Sequence, residues 1–222
     1  MFCCPVGKDD CLILDELAGL KNECMRLQNL SETDGLTGLY NYKYLIKTLD
    51  LEMERTLRTG LSTALIMIDL DHFKKINDTY GHEAGNAALK SAAAVWTKNV
   101  RRLDVVCRYG GEEFAVVLPG IRLHRAVMTA QRLMQALNTS PVDADGSMIN
   151  LTASFGVEIF GPASAFNSAA AFIKAADEML IAAKRQGRNR TCYRNLEKIA
   201  DATILSIDEK EALMGGNKNV NK

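Results

Sequence analysis

The sequence lacks the features that mark membrane, secreted and nucleic-acid-binding proteins. Its 27 Lys and Arg residues are balanced by 27 Asp and Glu residues, so no overall positive charge favours binding to a long nucleic acid. No apolar run is long enough to cross a membrane, and the N-terminus has no basic stretch followed by an apolar one, the pattern of a secretory signal. We therefore expect a cytoplasmic protein without a membrane segment and without a nucleic-acid partner.

The cysteines form no recognisable redox or metal-binding pattern. No Cys-x-x-Cys pair occurs among the 6 cysteines, and no histidine accompanies those that precede residue 25. We therefore favour ordinary reduced thiols over a metal or redox role, and the sequence assigns no function to the N-terminal cysteines. Cys107 and Cys192 fall in predicted strands, where we expect both thiols to be buried.

The chain length of 222 residues allows one domain with a sizeable core and shorter appendages. We predict an N-terminal helical stalk or linker over residues 1–33, a central domain over residues 34–194, and a partly disordered C-terminal extension over residues 195–222. Between residues 9 and 30, apolar side chains recur at helical spacing. This pattern fits either a short coiled-coil stalk or a helix packed on its own domain. A parallel stalk would bring two central domains together.

Helical and strand patterns alternate along the central domain. Helices are predicted over residues 42–59, 73–80, 85–100, 124–137 and 167–186, and strands over residues 64–69, 105–107, 114–118, 148–160 and 190–194. The strands around residue 110 are too closely spaced for a helical crossover, so they must pair antiparallel. The sequence therefore predicts an α/β (α+β) fold, with a central mixed or antiparallel sheet flanked by helices and preceded by an N-terminal helix.

Two glycines and two adjacent carboxylates, Gly110-Gly111-Glu112-Glu113, separate two short apolar runs. This pattern predicts a β-hairpin, because glycine accepts the positive φ that a tight turn requires. Glu112 and Glu113 would then stand at the tip of the hairpin. Taken alone, the pattern favours a solvated turn without a function.

A third carboxylate follows a predicted buried strand. Residues 64–69 read Ala-Leu-Ile-Met-Ile-Asp, a continuous apolar run that ends in Asp69. If the hairpin lies beside this strand end, Asp69, Glu112 and Glu113 would offer oxygen ligands to a hard cation such as Mg²⁺. The alternative is that Asp69 only ends the strand and caps a helix, and without the hairpin the two interpretations are evenly balanced.

In combination, these motifs resemble the GGDEF domain family, the diguanylate cyclases, which join two GTP molecules into cyclic di-GMP. The resemblance covers roughly residues 34–194 and is carried, in this order, by residues 34–41, 69–77, 81–86, 108–114, 153–157 and 183–189. A chance match at all these positions is very improbable. The resemblance implies a ferredoxin-like sheet of the cyclase/polymerase-palm type. It also implies a homodimer for catalysis, since one domain would carry a single GTP site.

The resemblance further implies which residues act on the phosphates. Asp69, the backbone carbonyl of Leu70, Glu112 and Glu113 would hold Mg²⁺ or Mn²⁺, two ions per active site. Glu112 or Glu113 would also assist deprotonation of the attacking ribose 3′-hydroxyl. The sequence does not separate base from ligand, because adjacent carboxylates on one metal titrate as a coupled set. Lys74 would offset the charge that develops on the triphosphate.

Two further basic residues correspond to phosphate contacts of the family. Lys184 and Arg188 are four residues apart, the spacing at which two side chains of one helix reach the same anion. The alternative is a solvated helix end, where basic residues are favoured in any case. Gly110 and Gly111 complete the implied phosphate-binding region.

Asn77, His82 and Asn86 correspond to the substrate pocket of the family, with Asn77 and Asn86 on the guanine edge. The usual family residue at position 86 is Asp, whose carboxylate accepts from two guanine N–H groups. An amide offers one acceptor and adds a donor, which adenine can match. The alternative function is therefore a mixed-base synthase that makes cyclic GMP-AMP. A non-catalytic nucleotide-binding receptor is ranked last, because the acidic hairpin residues are present.

Arg101 and Asp104 match the Arg-x-x-Asp motif of the inhibitory product site of the family, on the strand that leads into the hairpin. Arg132 aligns with a secondary arginine of that site. The resemblance implies that cyclic di-GMP binds there and inhibits the enzyme. The alternative is an ordinary surface ion pair, and Arg-x-x-Asp alone would be weak evidence against it.

Overall fold

The computed structural model describes residues 16–17, 19–23, 32–144 and 146–194. Of the predicted stalk, residues 16–17 and 19–23 are helical, and the exposed side chains of Leu17 and Leu20 lie on this segment. The rest of the predicted coiled coil and the whole C-terminal extension lie outside the described residues. No helix within the described residues is long and apolar enough to cross a membrane.

The described strands form two sheets. In chain order they are β1 (Thr63–Leu70), β2 (Val105–Gly110), β3 (Glu113–Leu118), β4 (Val142–Ala144), β5 (Ser147–Ile149), β6 (Ala153–Phe160) and β7 (Thr191–Tyr193). The main sheet has the order β2-β3-β1-β6-β7, and β4 pairs with β5 separately. Strand β1 is antiparallel to both of its neighbours, whereas β7 runs parallel to β6. Seven of the eight residues of β1 are buried, as expected for a strand covered on both faces.

The described helices of the domain lie on the two faces of this sheet. They are α1 (Tyr42–Thr59), α2 (Phe73–Tyr80), α3 (His82–Lys98), α4 (Leu123–Asn138) and α5 (Ala169–Arg185). Alternate residues of β1 point to opposite faces, with Ile66 in the cluster formed with α3 and α4, and Leu65 in the cluster formed with α1 and α5. Burying a side chain of this size stabilises the fold by roughly 1.5–3 kcal/mol. This arrangement confirms the predicted mixed, mainly antiparallel sheet flanked by helices.

The helix boundaries follow local signals. Asn41 caps α1 by accepting a hydrogen bond from the backbone N–H of Tyr44 at 3.2 Å, and Gly60 ends the helix at φ 74°. Helix α3 begins at His82 rather than at residue 85 as predicted, because Gly81 at φ 85° already breaks the chain between α2 and α3.

Residues 148–160 were expected to carry one strand pattern, and this prediction was wrong in its extent. Residues 147–149 belong to a short hairpin, in which the side chain of Asp143 accepts a hydrogen bond from the backbone N–H of Gly146 at 2.9 Å. The long strand β6 begins only at Ala153. A stretch this short carries too little pattern to distinguish a separate hairpin from the start of the next strand.

The two described cysteines differ from each other. Cys107 is buried, as predicted, and burial raises the pKa of its thiol to about 12. Cys192 was expected to be buried but is only partly so. It lies on β7, a strand of 3 residues that is the edge strand of the main sheet among the described residues.

Candidate active site

The predicted acidic cluster lies at one end of the main sheet. Asp69 near the end of β1 is the direct cross-strand partner of Glu113 at the start of β3. The backbone N–H of Leu70 donates to the carbonyl of Glu112 at 3.3 Å. Antiparallel pairing thus brings Asp69, Leu70, Glu112 and Glu113 together, although 43 positions separate Asp69 from Glu112 in the sequence.

The hairpin tip is held by an arginine to which the sequence assigned no role. Gly111 adopts a φ of 52°, and its carbonyl accepts from Arg108 Nη2 at 2.8 Å. Arg108 Nη1 also donates to both carboxylate oxygens of Asp34, at 3.0 and 3.1 Å. Burial opposes ionisation of Asp34, but hydrogen bonds from Thr37 and the adjacent Arg108 lower its pKa overall. The turn at residues 34–37 and the hairpin are therefore braced against each other.

A lysine faces the acidic cluster from the end of α5. Lys184 Nζ lies 2.7 Å from Asp69 Oδ2. The helix reaches this position because β6 carries Gly156 beneath it, and a Cβ there would overlap the backbone of Ala176 and Leu180. Lys184 is one helical turn beyond Leu180, so the close packing at Gly156 brings its ammonium over the end of β1.

The carboxylates of the cluster outnumber the cation that neutralises them. Burial raises the pKa of Asp69, Lys184 lowers it, and nearby Glu112 raises it further. The pKa of Glu113 is raised by burial and then by Asp69, against the lowering effect of Lys184, and Asp177 of α5 adds to the rise. Asp177 had no signal in the sequence that linked it to the hairpin. The site thus concentrates negative charge in a partly buried position.

This donor set fits a hard divalent cation, since it consists of carboxylate and carbonyl oxygens. Within the described ranges, no three His, Cys, Asp or Glu side chains are arranged so that they could hold a metal ion as they stand. Asp69 is engaged by Lys184, and a bound cation would take over the role of that ammonium as counter-charge. Asp69, Glu112, Glu113 and the Leu70 carbonyl are the groups that could hold it.

The three predicted pocket residues lie on α2 and α3. Asn77 and Asn86 are both half-buried, and His82 is exposed at the start of α3. A Cβ on Gly85 would overlap the amide oxygen of Asn77. The bare backbone at Gly85 therefore lets the Asn77 amide lie directly against α3, one residue before Asn86. Lys74 is exposed on α2.

Arg188 does not share a helix with Lys184, so the argument from helical spacing was wrong. Helix α5 ends at Arg185, and Gly187 follows at φ 113°. The N–H of Arg188 donates to the carbonyl of Ala183 at 3.0 Å, which is the bond of a Schellman cap. Arg188 itself has a φ of 62°. It lies in a left-handed turn directly after α5 because the cap reverses the chain.

The predicted inhibitory residues lie together near the start of β2. Asp104 Oδ2 accepts from the backbone N–H of Arg101 at 2.8 Å, so the two residues form a capped turn before the strand rather than part of it. Burial raises the pKa of Asp104, while the charges of Arg101 and Arg132 lower it. Arg132 Nη2 donates to the carbonyl of Asn99 at 3.0 Å. Arg101 and Asp104 line a cavity of about 440 Å³.

The fold and the site define an α+β domain whose central strand carries Asp69 next to its last residue, flanked by an acidic Gly-Gly hairpin and a basic helix end. Residues 31–190 match the family described as "Diguanylate cyclase, GGDEF domain". The chain belongs to this family.

Relatives with this domain are longer proteins. The chain is 40% identical over 172 residues to the response regulator PleD of Caulobacter vibrioides, covering 77% of this chain and 37% of PleD. It is 39% identical over 158 residues to the diguanylate cyclase DgcP of Pseudomonas aeruginosa, covering 71% of this chain and 23% of DgcP. The chain therefore spans well under half the length of these relatives.

Solved structures share the fold. The coiled coil and GGDEF domain of DgcB from Caulobacter crescentus, in complex with c-di-GMP, has a TM-score of 0.75 and 27% identity, covering 82% of this chain and 95% of that one. The active GGEEF domain of a diguanylate cyclase from Vibrio cholerae has a TM-score of 0.64 and 28% identity, covering 70% of this chain and 97% of that one. Residues 110–114 of the present chain also read Gly-Gly-Glu-Glu-Phe.

Proposed function

We propose that this chain carries the catalytic domain of a diguanylate cyclase, which condenses two GTP molecules into cyclic di-GMP and two pyrophosphates. The observation that carries the proposal is the cross-strand pairing of Asp69 with Glu113 at the tip of the Gly-Gly hairpin. Family membership raises its weight, since relatives bearing this domain are named diguanylate cyclases. We place the reaction in the cytoplasm, where GTP is available.

The acidic residues are proposed to bind divalent metal and to receive a proton. Asp69, the Leu70 carbonyl, Glu112 and Glu113 would hold Mg²⁺ or Mn²⁺, two ions in each site. The bound cations would supply charge neutralisation on the transferring phosphoryl oxygens and activation of the 3′-hydroxyl. Glu112 or Glu113 would accept the hydroxyl proton; burial and then Asp69 raise the pKa of Glu113 above its ordinary value, which favours this role for its carboxylate.

The basic residues are proposed to bind the triphosphate. Lys74, Lys184 and Arg188 belong to α2, α5 and the turn after α5. Lys184 already lies beside Asp69, so it is placed to exchange this carboxylate for a phosphate when substrate and metal enter. The open backbone of Gly110 and Gly111 would let the phosphates approach the hairpin, because a Cβ added to either glycine would have no described atom within 4 Å beyond its chain neighbours.

The proposed active species is a homodimer. Each chain contributes one Asp69–Glu113 pair, and the product contains two guanosine units, each of which donates a 3′-hydroxyl and receives a phosphoryl group. Two domains must therefore face each other with one GTP in each. The distance between the 3′-hydroxyl of one GTP and the α-phosphate of the other would be set by how the two chains associate, rather than by residues of one chain.

Base recognition is proposed to involve Asn77, His82 and Asn86. The Asn77 amide is fixed against Gly85, which leaves Asn86 beside it on α3 as the second reader of the guanine edge. Asn86 also motivates the alternative function, a relaxed or mixed-base synthase that makes cyclic GMP-AMP. One amide replaces a carboxylate here, and its donor is compatible with adenine.

Feedback inhibition is proposed at the cavity near β2. Arg101 presents an exposed guanidinium, and Asp104 and Arg132 interact with each other electrostatically. A purine dinucleotide such as cyclic di-GMP would find a fork-shaped donor and an acceptor in the cavity, and Arg132 would add a second positive charge near Asp104. The cavity of about 440 Å³ is within the range of small-ligand sites.

The test is product chromatography after incubation with Mg²⁺ and GTP, ATP or both. A diguanylate cyclase makes cyclic di-GMP from GTP alone, a mixed-base synthase adds cyclic GMP-AMP when both nucleotides are present, and a non-catalytic receptor binds GTP without turnover. Glu113→Gln is the matched inactive control. Failure of the folded dimer to make any cyclic dinucleotide would overturn the proposal of catalysis.

A further inference from the structure

We infer that Asp71 is a positioning residue for triphosphate binding, because its carboxylate holds the turn at residues 187–189 in the left-handed conformation that presents Arg188. This inference deepens the proposed function and rests on it, since Arg188 is proposed above to bind the phosphates. Asp71 follows β1 by one residue and is distinct from the acidic cluster that contains Asp69.

The carboxylate of Asp71 is buried and fully engaged. Asp71 is only 5% exposed to solvent. Oδ1 accepts from Ser154 Oγ at 2.7 Å, and Oδ2 accepts from Thr152 Oγ1 at 3.0 Å and from the backbone N–H of Asn189 at 3.0 Å. A buried carboxylate is tolerated only when donors surround it. Ser154 lies at the start of β6 and Thr152 directly precedes that strand, whereas the third donor comes from the turn that carries Arg188.

The turn after α5 has positive φ values at three consecutive residues, two of which are not glycine. Gly187, Arg188 and Asn189 have φ values of 113°, 62° and 42°. Arg188 and Asn189 carry a Cβ, which disfavours this region, so the surroundings must hold them there. The Schellman cap fixes Arg188 from the N-terminal side. At Asn189, the backbone N–H is held by Asp71, and the side chain accepts from Asn138 at 3.1 Å.

Asp71 and Asp69 each connect the end of β1 to the end of α5 and the turn that follows it. Asp69 is ion-paired with Lys184, and Asp71 is hydrogen-bonded to Asn189, so the end of β1 is joined twice to the end of α5. The proposed substrate draws Lys184 away from Asp69. The Asp71 bond then remains to keep the turn, and therefore Arg188, in register with the metal-binding carboxylates.

The experiment measures binding of inorganic triphosphate in Mg²⁺ buffer by calorimetry, together with kcat and KM for GTP. Triphosphate reports the phosphate contacts without those to the base. We expect Asp71→Ala to weaken triphosphate binding about tenfold, matching Arg188→Ala. KM for GTP should rise by a similar factor, with kcat changed less. Asp78→Ala, at an exposed position of α2, is the matched control and should bind triphosphate as the wild type does.

Two further variants separate positioning from simple stabilisation. Asp71→Asn should restore triphosphate binding to within about threefold of the wild type, because its amide oxygen can accept from Asn189 while the hydroxyl of Ser154 turns round to accept from the amide. The double variant Asp71→Ala/Arg188→Ala should bind triphosphate no more weakly than Arg188→Ala alone. If Asp71 acts only by positioning Arg188, its loss has no further effect once the arginine side chain is absent. Losses that multiply in the double variant would overturn the inference.

If Asp71→Ala does not fold, a triple variant that also removes the two hydroxyl donors provides the same test. In Asp71→Ala/Thr152→Val/Ser154→Ala, both orphaned hydroxyls are removed, which lowers the cost of losing their common acceptor and leaves the Asn189 N–H as the unpaired donor. The same tenfold loss is expected. If the wild type binds neither triphosphate nor GTP, the proposed function fails and this inference fails with it. If the wild type binds both and the folded Asp71 variants bind equally well, the inference alone is overturned.

Discussion

Lys184 Nζ lies 2.7 Å from Asp69 Oδ2, with the lysine side chain 31% exposed and the aspartate side chain 13% exposed. The pair joins a proposed phosphate ligand to a proposed metal ligand. Each group is therefore engaged by the other, and the proposed substrate and metal would have to replace both partners. The ammonium offsets part of the charge that Asp69, Glu112 and Glu113 bring to one end of the sheet.

Removing this ammonium should make the metal-free protein less stable and more responsive to metal. We expect Lys184→Met to lower the metal-free unfolding free energy by about 1–2 kcal/mol, a value reduced for partial exposure of the pair. Mg²⁺ should then raise Tm more in the variant than in the wild type. Thermal unfolding with and without Mg²⁺ measures both effects, and Lys174→Met, at an exposed position of α5, is the control. An equal Mg²⁺ response in all three proteins would contradict the proposed exchange of cations.

Glu113→Gln should reduce turnover by about a hundredfold or more while keeping the fold, because an amide cannot supply the charge that a divalent cation requires. The same change should stabilise the metal-free protein near neutral pH. Burial, and then Asp69, raise the pKa of Glu113 above its ordinary value of 4.5.

The sign of the pH effect follows from this raised pKa. The stability associated with protonated Glu113 is fully present below the pKa of the unfolded chain and is lost as pH rises through the higher pKa of the folded state. The advantage of Glu113→Gln over the wild type should therefore grow as pH increases from about 4 towards 7. Denaturant unfolding at several pH values measures it, with exposed Glu83→Gln as control. Retained turnover in folded Glu113→Gln would contradict the role of Glu113.

Arg101→Ala should relieve inhibition by cyclic di-GMP without lowering the initial rate. The backbone of Arg101 makes the hydrogen bonds that cap the turn with Asp104, while the guanidinium is exposed and can be removed without loss of those bonds. Initial rates measured at increasing product concentration test this, with exposed Arg125→Ala as control. An inhibition constant unchanged by Arg101→Ala would place the inhibitory site elsewhere.

Asn86→Asp should sharpen the preference for GTP. One charge-assisted hydrogen bond to guanine is worth roughly 1.5–3 kcal/mol, or about one to two decades of discrimination. The wild type should give measurable mixed dinucleotide when GTP and ATP are both supplied, and the variant should give less. A competition assay on the two proteins is the measurement. If the wild type makes only cyclic di-GMP in excess ATP and the variant changes neither product ratio nor affinity, Asn86 reads guanine adequately.

Asp34→Asn should loosen the catalytic hairpin from a distance. Burial opposes ionisation of Asp34, but its bonds to Thr37 and Arg108 lower the pKa overall, so its contribution to stability is present above pH 3.8 and is lost as pH falls through the lower folded-state value. We expect the variant to lose about 1 kcal/mol at pH 7 and less near pH 3, after allowance for solvent screening. Denaturant unfolding at both pH values tests this against exposed Asp50→Asn. An equal loss at both values would rule out the charge of Asp34 as the cause.

The sequence predicted those parts of the site that depend on local pattern. The run at residues 64–69 and the Gly-Gly hairpin were recognisable because burial on both faces and a tight turn each leave a signature in adjacent residues. Their pairing placed Asp69 beside Glu113. The layering of helices on the sheet followed from the same patterns and from the family resemblance, whereas the strand order β2-β3-β1-β6-β7 is visible only in the structure.

The missing parts depend on contacts between distant residues. Arg108 meets Asp34 across 74 positions, and Asp71 meets Asn189 across 118. No periodicity links such pairs, because the two partners lie in separate segments and only the folded chain brings them together. The position of Arg188 was misjudged for a related reason: a cap that needs Gly187 in a left-handed conformation ends the helix before the spacing argument can apply.

Gly156 makes the position of the basic groups at the acidic site depend on a residue in the middle of β6, outside that site. Because this glycine has no side chain, the backbone of α5 packs directly against the backbone of β6. A single methyl group at this position would push α5 away from the sheet, and Lys184 and the turn bearing Arg188 at the end of this helix would move together. The distance of both basic side chains from the acidic cluster therefore depends on the absence of a side chain at one position in the middle of the sheet.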